Sequence, residues 1–232
     1  MNVFSHQSSK QKILYTIGFL LSLIGVGVAA YLIYIHLKPA GTGTFCNIDD
    51  YWNCDRVNNS LYAYLFDIPV SYFGAAFYVF SSIIWLTLLL QANFAKLLGK
   101  KIHWLLAISS IGSIVASIAL AIYEVTIPGN FIPWVIVRSL LFIAAFVWIL
   151  KKYWKNDNLR SVFLAFFLIC SLFGVNFSLY LTDMEIFVLQ AICVLCLTQQ
   201  IVILLITFCT VETLKLSDQY GSEIAGKSGS QT

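Results

Sequence analysis

Six cysteines are the reactive groups of this 232-residue chain. Cys46 and Cys54 stand in F-C-N-I-D-D-Y-W-N-C-D, Cys193 and Cys196 form C-V-L-C, and Cys170 and Cys209 lie singly in apolar runs. A C-x-x-C pair closes a very small ring, useful for redox exchange and poor as a staple. At a helix N-terminus the unpaired N–H groups and the dipole favour its thiolate. The thiolate is the form that attacks a disulfide, leaves readily or donates electrons to an acceptor. The wider pair encloses nine residues, both ends counted. A disulfide there restricts the unfolded loop in advance, and taken alone it also fits a plain loop staple. Zinc fits poorly, because the cysteines of a structural knuckle are about two to four residues apart, whereas seven separate Cys46 from Cys54. No metal site is expected.

The elements that must position these thiols are membrane helices. The chain is 59% apolar and 11% charged, with a mean hydropathy of +0.84, against about 45–50% and about 25% in ordinary soluble domains. That composition excludes a water-soluble globular enzyme, a disordered tail and a nucleic-acid binder. The alternating ten-residue segments of a membrane barrel are absent. A spanning helix needs about 20 apolar residues, and six stretches qualify: Ile13–Leu37, Pro69–Leu90, Ile102–Tyr123, Phe131–Leu150, Ser161–Thr182 and Val194–Leu214. The first is too long for a secretory h-region and is read as a permanent helix.

Basic residues set the expected orientation. With the N-terminus inside, the inner segments hold eleven Lys and Arg, among them Lys96, Lys100, Lys151, Lys152 and Arg160, and the outer ones only Lys38 and Arg56. Both termini are then cytoplasmic. The outer face carries the loop Lys38–Ile68, opened by Pro39, Gly41 and Gly43, and the connectors Glu124–Asn130 and Asp183–Cys193. Residues 1–216 are read as one transmembrane unit and the polar segment Ser217–Thr232 as a flexible cytoplasmic tail.

This topology sorts the cysteines. Both pairs fall on the extracytoplasmic side, which is normally oxidising. Cys209 lies 13 residues beyond Cys196, roughly 20 Å deeper at helical rise, so it and Cys170 are read as packing residues. Two outer pairs suggest a relay: an exposed loop pair that meets a soluble protein, and a pair at the membrane boundary that meets a lipid-soluble acceptor. A mobile loop is expected to carry Cys54 to the helix pair. Arg138 and Glu124 are costly in lipid, and Arg138, midway along the fourth span, should face protein or a polar partner.

The pattern resembles the vitamin K epoxide reductase family, particularly its bacterial members. The resemblance rests on Cys46 and Cys54, Ser60 six positions later, F-D-I-P-V (Phe66–Val70) opening the second span, and L-Y-L-T-D-M-E-I-F-V-L-Q-A-I-C-V-L-C (Leu179–Cys196). The architecture is also similar to that of the bacterial disulfide-bond oxidase B family. The resemblance implies an all-α fold with a four-helix core from the first, second, fifth and sixth spans, and Ile102–Leu150 as an inserted hairpin. It implies that Cys46 forms a mixed disulfide with a thioredoxin-fold, DsbA-like extracytoplasmic partner and that Cys54 attacks Cys193. Cys196 then reduces a membrane quinone, menaquinone or ubiquinone, with Ser60 facing the quinone. Gln200 stands where animal members have a tyrosine, which sets their quinone contacts and vitamin K epoxide apart from this chain. The same cysteines also fit a relay run reductively, and a non-enzymatic transporter or scaffold with inert disulfides.

Overall fold

A computed structural model describes residues 9–38, 45–90, 101–126, 132–156 and 158–229. Its helices are α1 (Ser9–His36), the short α2 (Cys54–Asn58), α3 (Val70–Leu89), α4 (Lys101–Thr126), α5 (Ile132–Tyr153), α6 (Leu159–Asp183) and α7 (Val194–Gly229). Two two-residue strands, β1 (Tyr64–Leu65) and β2 (Ile68–Pro69), form a hairpin between α2 and α3. Its two turn residues, Phe66 and Asp67, both have positive φ, as a tight two-residue hairpin turn requires. Six of the helices are long and apolar enough to cross a membrane. The protein is an all-α, multi-pass integral membrane protein.

Small residues let α1 approach α3 closely. The buried face of α1 runs Gly18, Ser22, Gly25, Ala29, a small-residue stripe of the kind that membrane helices use in place of a hydrophobic drive. Two turns apart, Gly18 receives Trp85 and Gly25 receives Tyr78. A Cβ at these glycines would stand 2.4 and 2.3 Å from those rings. Between them, the Ser22 and Ser81 hydroxyls share a 2.7 Å hydrogen bond. The outward residues of α1, such as Ile13, Leu20 and Ile24, are exposed aliphatics, the surface a lipid-facing helix needs.

The fifth spanning segment is the hub. Its apolar window is 56% buried, against 22–33% in the other five. Phe167 of α6 packs against the rings of Phe77, Phe80 and Trp85 from α3. Helix α7 packs against α1 and α6, while α4 and α5 pack against each other and against α6. Polar contacts lock that hairpin in place. Asn176 donates to the Ser117 hydroxyl at 3.0 Å. Arg138 of α5 bonds both Glu124 of α4 and Asp183 of α6.

Three expectations need correction. Glu124 does not lie in a connector: α4 continues to Thr126 and buries it completely. The connector expected over Asp183–Cys193 is a π-helical turn, Met184–Leu189, for most of its length. The last helix does not stop near Leu214 but runs to Gly229. Its extension is anchored where Asp218 accepts hydrogen bonds from Tyr153 (2.6 Å) and Lys152 (2.9 Å), and where the Ser217 and Ser161 hydroxyls meet at 3.1 Å. His6, Pro39, Gly41, Gly43, Lys96, Lys100, the connector beyond Thr126, Phe131 at the head of the fourth span, and residues 230–232 of the expected tail lie outside the described residues.

Candidate functional site

Short polar side chains close the loop between Cys46 and Cys54. The Asp49 carboxylate accepts the N–H groups of Tyr51 (2.8 Å) and Trp52 (2.7 Å), the local turn that Asp makes readily. Ile48 N–H bonds the Trp52 carbonyl at 2.9 Å. Asn47 brackets Asp55, donating to its carboxylate at 2.6 Å and accepting its N–H at 3.2 Å. Asn53 caps α2 by accepting the Arg56 N–H at 2.9 Å. These bonds bring the ends together, and Cys46 and Cys54 form a disulfide with their Cα atoms 5.8 Å apart.

The loop is then tied to the second pair by backbone. Ile192 N–H donates to the Tyr51 carbonyl at 2.7 Å and Asn53 N–H to the Ile192 carbonyl at 3.1 Å. Trp52 and Ile192 thus form a parallel bridge. Cys54 lies two residues beyond this bridge and Cys193 one residue beyond it, so the pairing brings the two segments that carry them together. Cys46, Cys54 and Cys193 share one buried cluster with Leu32, Ile35 and Val57, and Cys196 packs against it. The loop pair, expected to be exposed, is therefore buried: Cys46 is 2% and Cys54 0% accessible. Cys54 and Cys193 lie in the same buried cluster.

The C-V-L-C pair opens α7. The π-helical turn ends at Gln190, whose φ is +50°, and the chain doubles back so that Ala191 N–H bonds the Glu185 carbonyl at 3.0 Å. Cys193 occupies the capping position: its carbonyl accepts the first helical bond, from Leu197 at 3.0 Å. Its sulfur accepts the Cys196 N–H at 3.4 Å, as a serine oxygen does at other helix starts. That donor is one of the N–H groups that stabilise a thiolate at this end of a helix. Both thiols are free. The Glu185 carboxylate, 3% exposed, accepts the Cys193 N–H at 3.0 Å and also interacts with the Cys196 thiol.

Cys196 and Glu185 line a cavity of about 210 Å³ between α1, α3, α6 and α7, roofed by α2 and the turn after it. Phe73, Phe77, Phe173 and Phe177 make much of its wall. Asn58, Ser60, Ser71 and Gln199 also line it, and each has a buried polar atom without a hydrogen-bond partner: Asn58 Nδ2, Ser60 Oγ, Ser71 Oγ and Gln199 Nε2. Buried polar groups of this kind cost about 1–3 kcal/mol each when unsatisfied. An aromatic-walled slot with several hydroxyl and amide donors fits a flat apolar molecule bearing carbonyl oxygens, such as a quinone.

Of the residues singled out in the sequence, Cys46, Cys54, Cys193 and Cys196 come together and Ser60 joins Cys196 on the cavity wall. Ser60 sits at the cap of a one-turn 3₁₀ helix, yet its side chain makes no capping bond. Gln200 turns away and accepts a bond from Thr182 at 2.8 Å. Asn58, Ser71, Glu185 and Gln199 escaped sequence reasoning. Gln199 was findable, because it lies three residues after Cys196 and so on the same helix face.

Residues 16–150, more than half of the chain, match the vitamin K epoxide reductase family. The matched stretch contains the Cys46–Cys54 loop and ends before Cys193. No curated protein and no solved structure matches the chain. The protein belongs to the vitamin K epoxide reductase family, whose members are oxidoreductases.

Proposed function

We propose that this family member is a membrane thiol:quinone oxidoreductase. In this reading it re-oxidises a thioredoxin-like dithiol protein on the extracytoplasmic side and passes two electrons to a membrane quinone, supporting disulfide formation in exported proteins. The observation that carries it is the pairing of residues 51–53 with Ile192, which sets the loop disulfide against a C-x-x-C whose second cysteine lines an aromatic cavity. We assign the redox work to α1, α3, α6, α7 and the loop, with α4 and α5 as an added hairpin. The Lys and Arg bias supports placing both cysteine pairs outside.

A partner thiolate attacks Cys46, breaking the Cys46–Cys54 bond and leaving Cys54 as thiolate. Because Cys46 is covered, docking must first displace its neighbours, among which Phe45 and Ile48 are each 71% exposed. Cys54 attacks Cys193 of an oxidised C-V-L-C pair, releasing Cys196. The partner's second thiol resolves its bond to Cys46 and the partner leaves as a disulfide. Cys46 then attacks Cys54, restoring the loop bond and freeing Cys193. Closure of the Cys193–Cys196 bond releases two electrons and two protons to the quinone, which departs as quinol. The partner's two thiol protons thus end on the quinol. A bonded loop pair beside two free helix thiols is the stage just before that closure.

Thiol trapping in cells tests the relay one cysteine at a time. In Cys54→Ala there is no loop disulfide for a reduced partner to open, so Cys46 is a thiol that attacks the disulfide of an oxidised partner. The partner–Cys46 mixed disulfide, which Cys54 can no longer displace, should be seen on non-reducing gels. Cys193→Ala and Cys196→Ala should abolish quinone reduction. Normal quinone turnover in Cys196→Ala would remove that residue from the route.

A further inference from the structure

Glu185 is a buried carboxylate beside the C-V-L-C pair, held by the Cys193 backbone and facing the Cys196 thiol. Its Oε2 accepts the Cys193 N–H at 3.0 Å, it interacts with the Cys196 thiol, and it lines the same cavity as Cys196. Only 3% of it is exposed, so bulk water is a poor proton carrier at this point. The Glu185 carboxylate and a Cys196 thiolate would be two negative charges in one buried site, which is strongly disfavoured. One proton between them removes the conflict, and it has somewhere to go: the cavity both groups share.

We propose that Glu185 is the proton relay of the quinone-reducing step, taking the proton of the Cys196 thiol and passing it to a quinone oxygen. This rests on the thiol:quinone reading above. Two S–H bonds break, one S–S bond forms between Cys193 and Cys196, and two electrons pass to the quinone. Glu185 hands on the Cys196 proton, returns to carboxylate, and then carries the Cys193 proton to the other oxygen. Both protons end in the O–H bonds of the quinol, and Glu185 is unchanged over the cycle.

A bland alternative makes Glu185 only an acceptor that fixes the start of α7. Glu185→Gln separates the two, because the amide oxygen can still accept the Cys193 N–H but cannot carry a proton. Two assays on the purified full-length protein read it: reduction of the C-V-L-C pair by a small dithiol without quinone, and single-turnover reduction of a short-chain ubiquinone. The first should still reduce the pair completely. The quinone step, read at saturating quinone, should slow by about 10²–10⁴-fold, the usual weight of a positioned acid–base group, and Glu185→Asp should recover part of the rate. A wild-type rate in Glu185→Gln overturns the proposal. If that variant does not fold, the wild-type single turnover still decides: it should slow in deuterated solvent, and an unchanged rate overturns the relay. Absence of quinone reduction by the wild type would instead defeat the thiol:quinone reading itself.

Discussion

Arg138 offers the sharpest energetic test of how the α4–α5 hairpin is held. It lies on α5 at 2% exposure and bridges Glu124, which is fully buried on α4, to Asp183 at the end of α6. One guanidinium serves two carboxylates, and the Asp183 end adjoins the π-helical turn that carries Glu185. Arg138→Met keeps the length and apolar bulk of the side chain but leaves both carboxylates without their cation. Removing one partner of a buried ion pair costs about 3–5 kcal/mol, and two stranded acids place this variant toward the upper end. That corresponds to a fall of about two to nearly four powers of ten in the folded-to-unfolded ratio. Reversible unfolding in mixed micelles, followed by tryptophan fluorescence, measures it. The triple variant Arg138→Met, Glu124→Gln, Asp183→Asn removes the stranded charges and should recover most of the loss. A loss below about 1 kcal/mol in the single variant, the range of an exposed pair, or a triple variant no better than the single one, refutes the reasoning.

Packing, ligand contacts and sidedness give three more outcomes. Gly25→Ala places a methyl 2.3 Å from the Tyr78 ring and should cost about 1–3 kcal/mol as overpacking, whereas the same change at Gly27, with nothing within 4 Å, should leave stability unchanged in the same unfolding assay. Ser71→Ala and Gln199→Leu each remove a cavity donor. Each should raise the quinone KM by up to about tenfold, from about 0.5–1.5 kcal/mol per hydrogen bond, while thiol exchange with the partner proceeds at the wild-type rate. In right-side-out vesicles, an impermeant maleimide should label a cysteine introduced at the exposed Asp50 and spare one introduced at Lys151. The opposite pattern inverts the topology.

The spans were legible in the chain because membrane insertion is written in the length of apolar runs, a one-dimensional signal. That the two cysteine pairs meet followed as well, since span order sets both at the same end of the helices. What escaped depends on how helices rotate and how turns fold. Arg138 announces a need for partners, but that Glu124 and Asp183 answer it is decided by the packing of α4, α5 and α6. Glu185 lies eight residues before Cys193 in a mostly apolar stretch, and the π-helical turn and the left-handed Gln190 bring it back onto the start of the C-V-L-C pair. Gln200 drew notice by its position in a family pattern, whereas the turn of α7 presents Gln199 to the cavity. The burial of Cys46 was hidden for a similar reason. A polar loop reads as solvated, yet its polar groups spend their bonds on one another and turn both sulfurs inward.

In the proposed relay, that inward turn bears on what limits electron transfer between the two pairs. The attack of Cys54 on Cys193 would be intramolecular and would start from residues 51–53 already paired to Ile192, and held geometry of this kind replaces a large part of an entropic barrier. The slow event then moves outward, to the uncovering of Cys46 by an arriving partner. Trp52→Pro leaves both bonds to Ile192 in place, since neither uses the Trp52 N–H, but it removes the single Trp52 donation to the Asp49 carboxylate. Such a change loosens the loop around the cysteines while the link between the pairs stays intact. A relay limited by uncovering should accept electrons from its partner faster after that loosening, and one limited by the Cys54–Cys193 exchange should not. The two pairs are therefore separable kinetically even though they share one buried cluster.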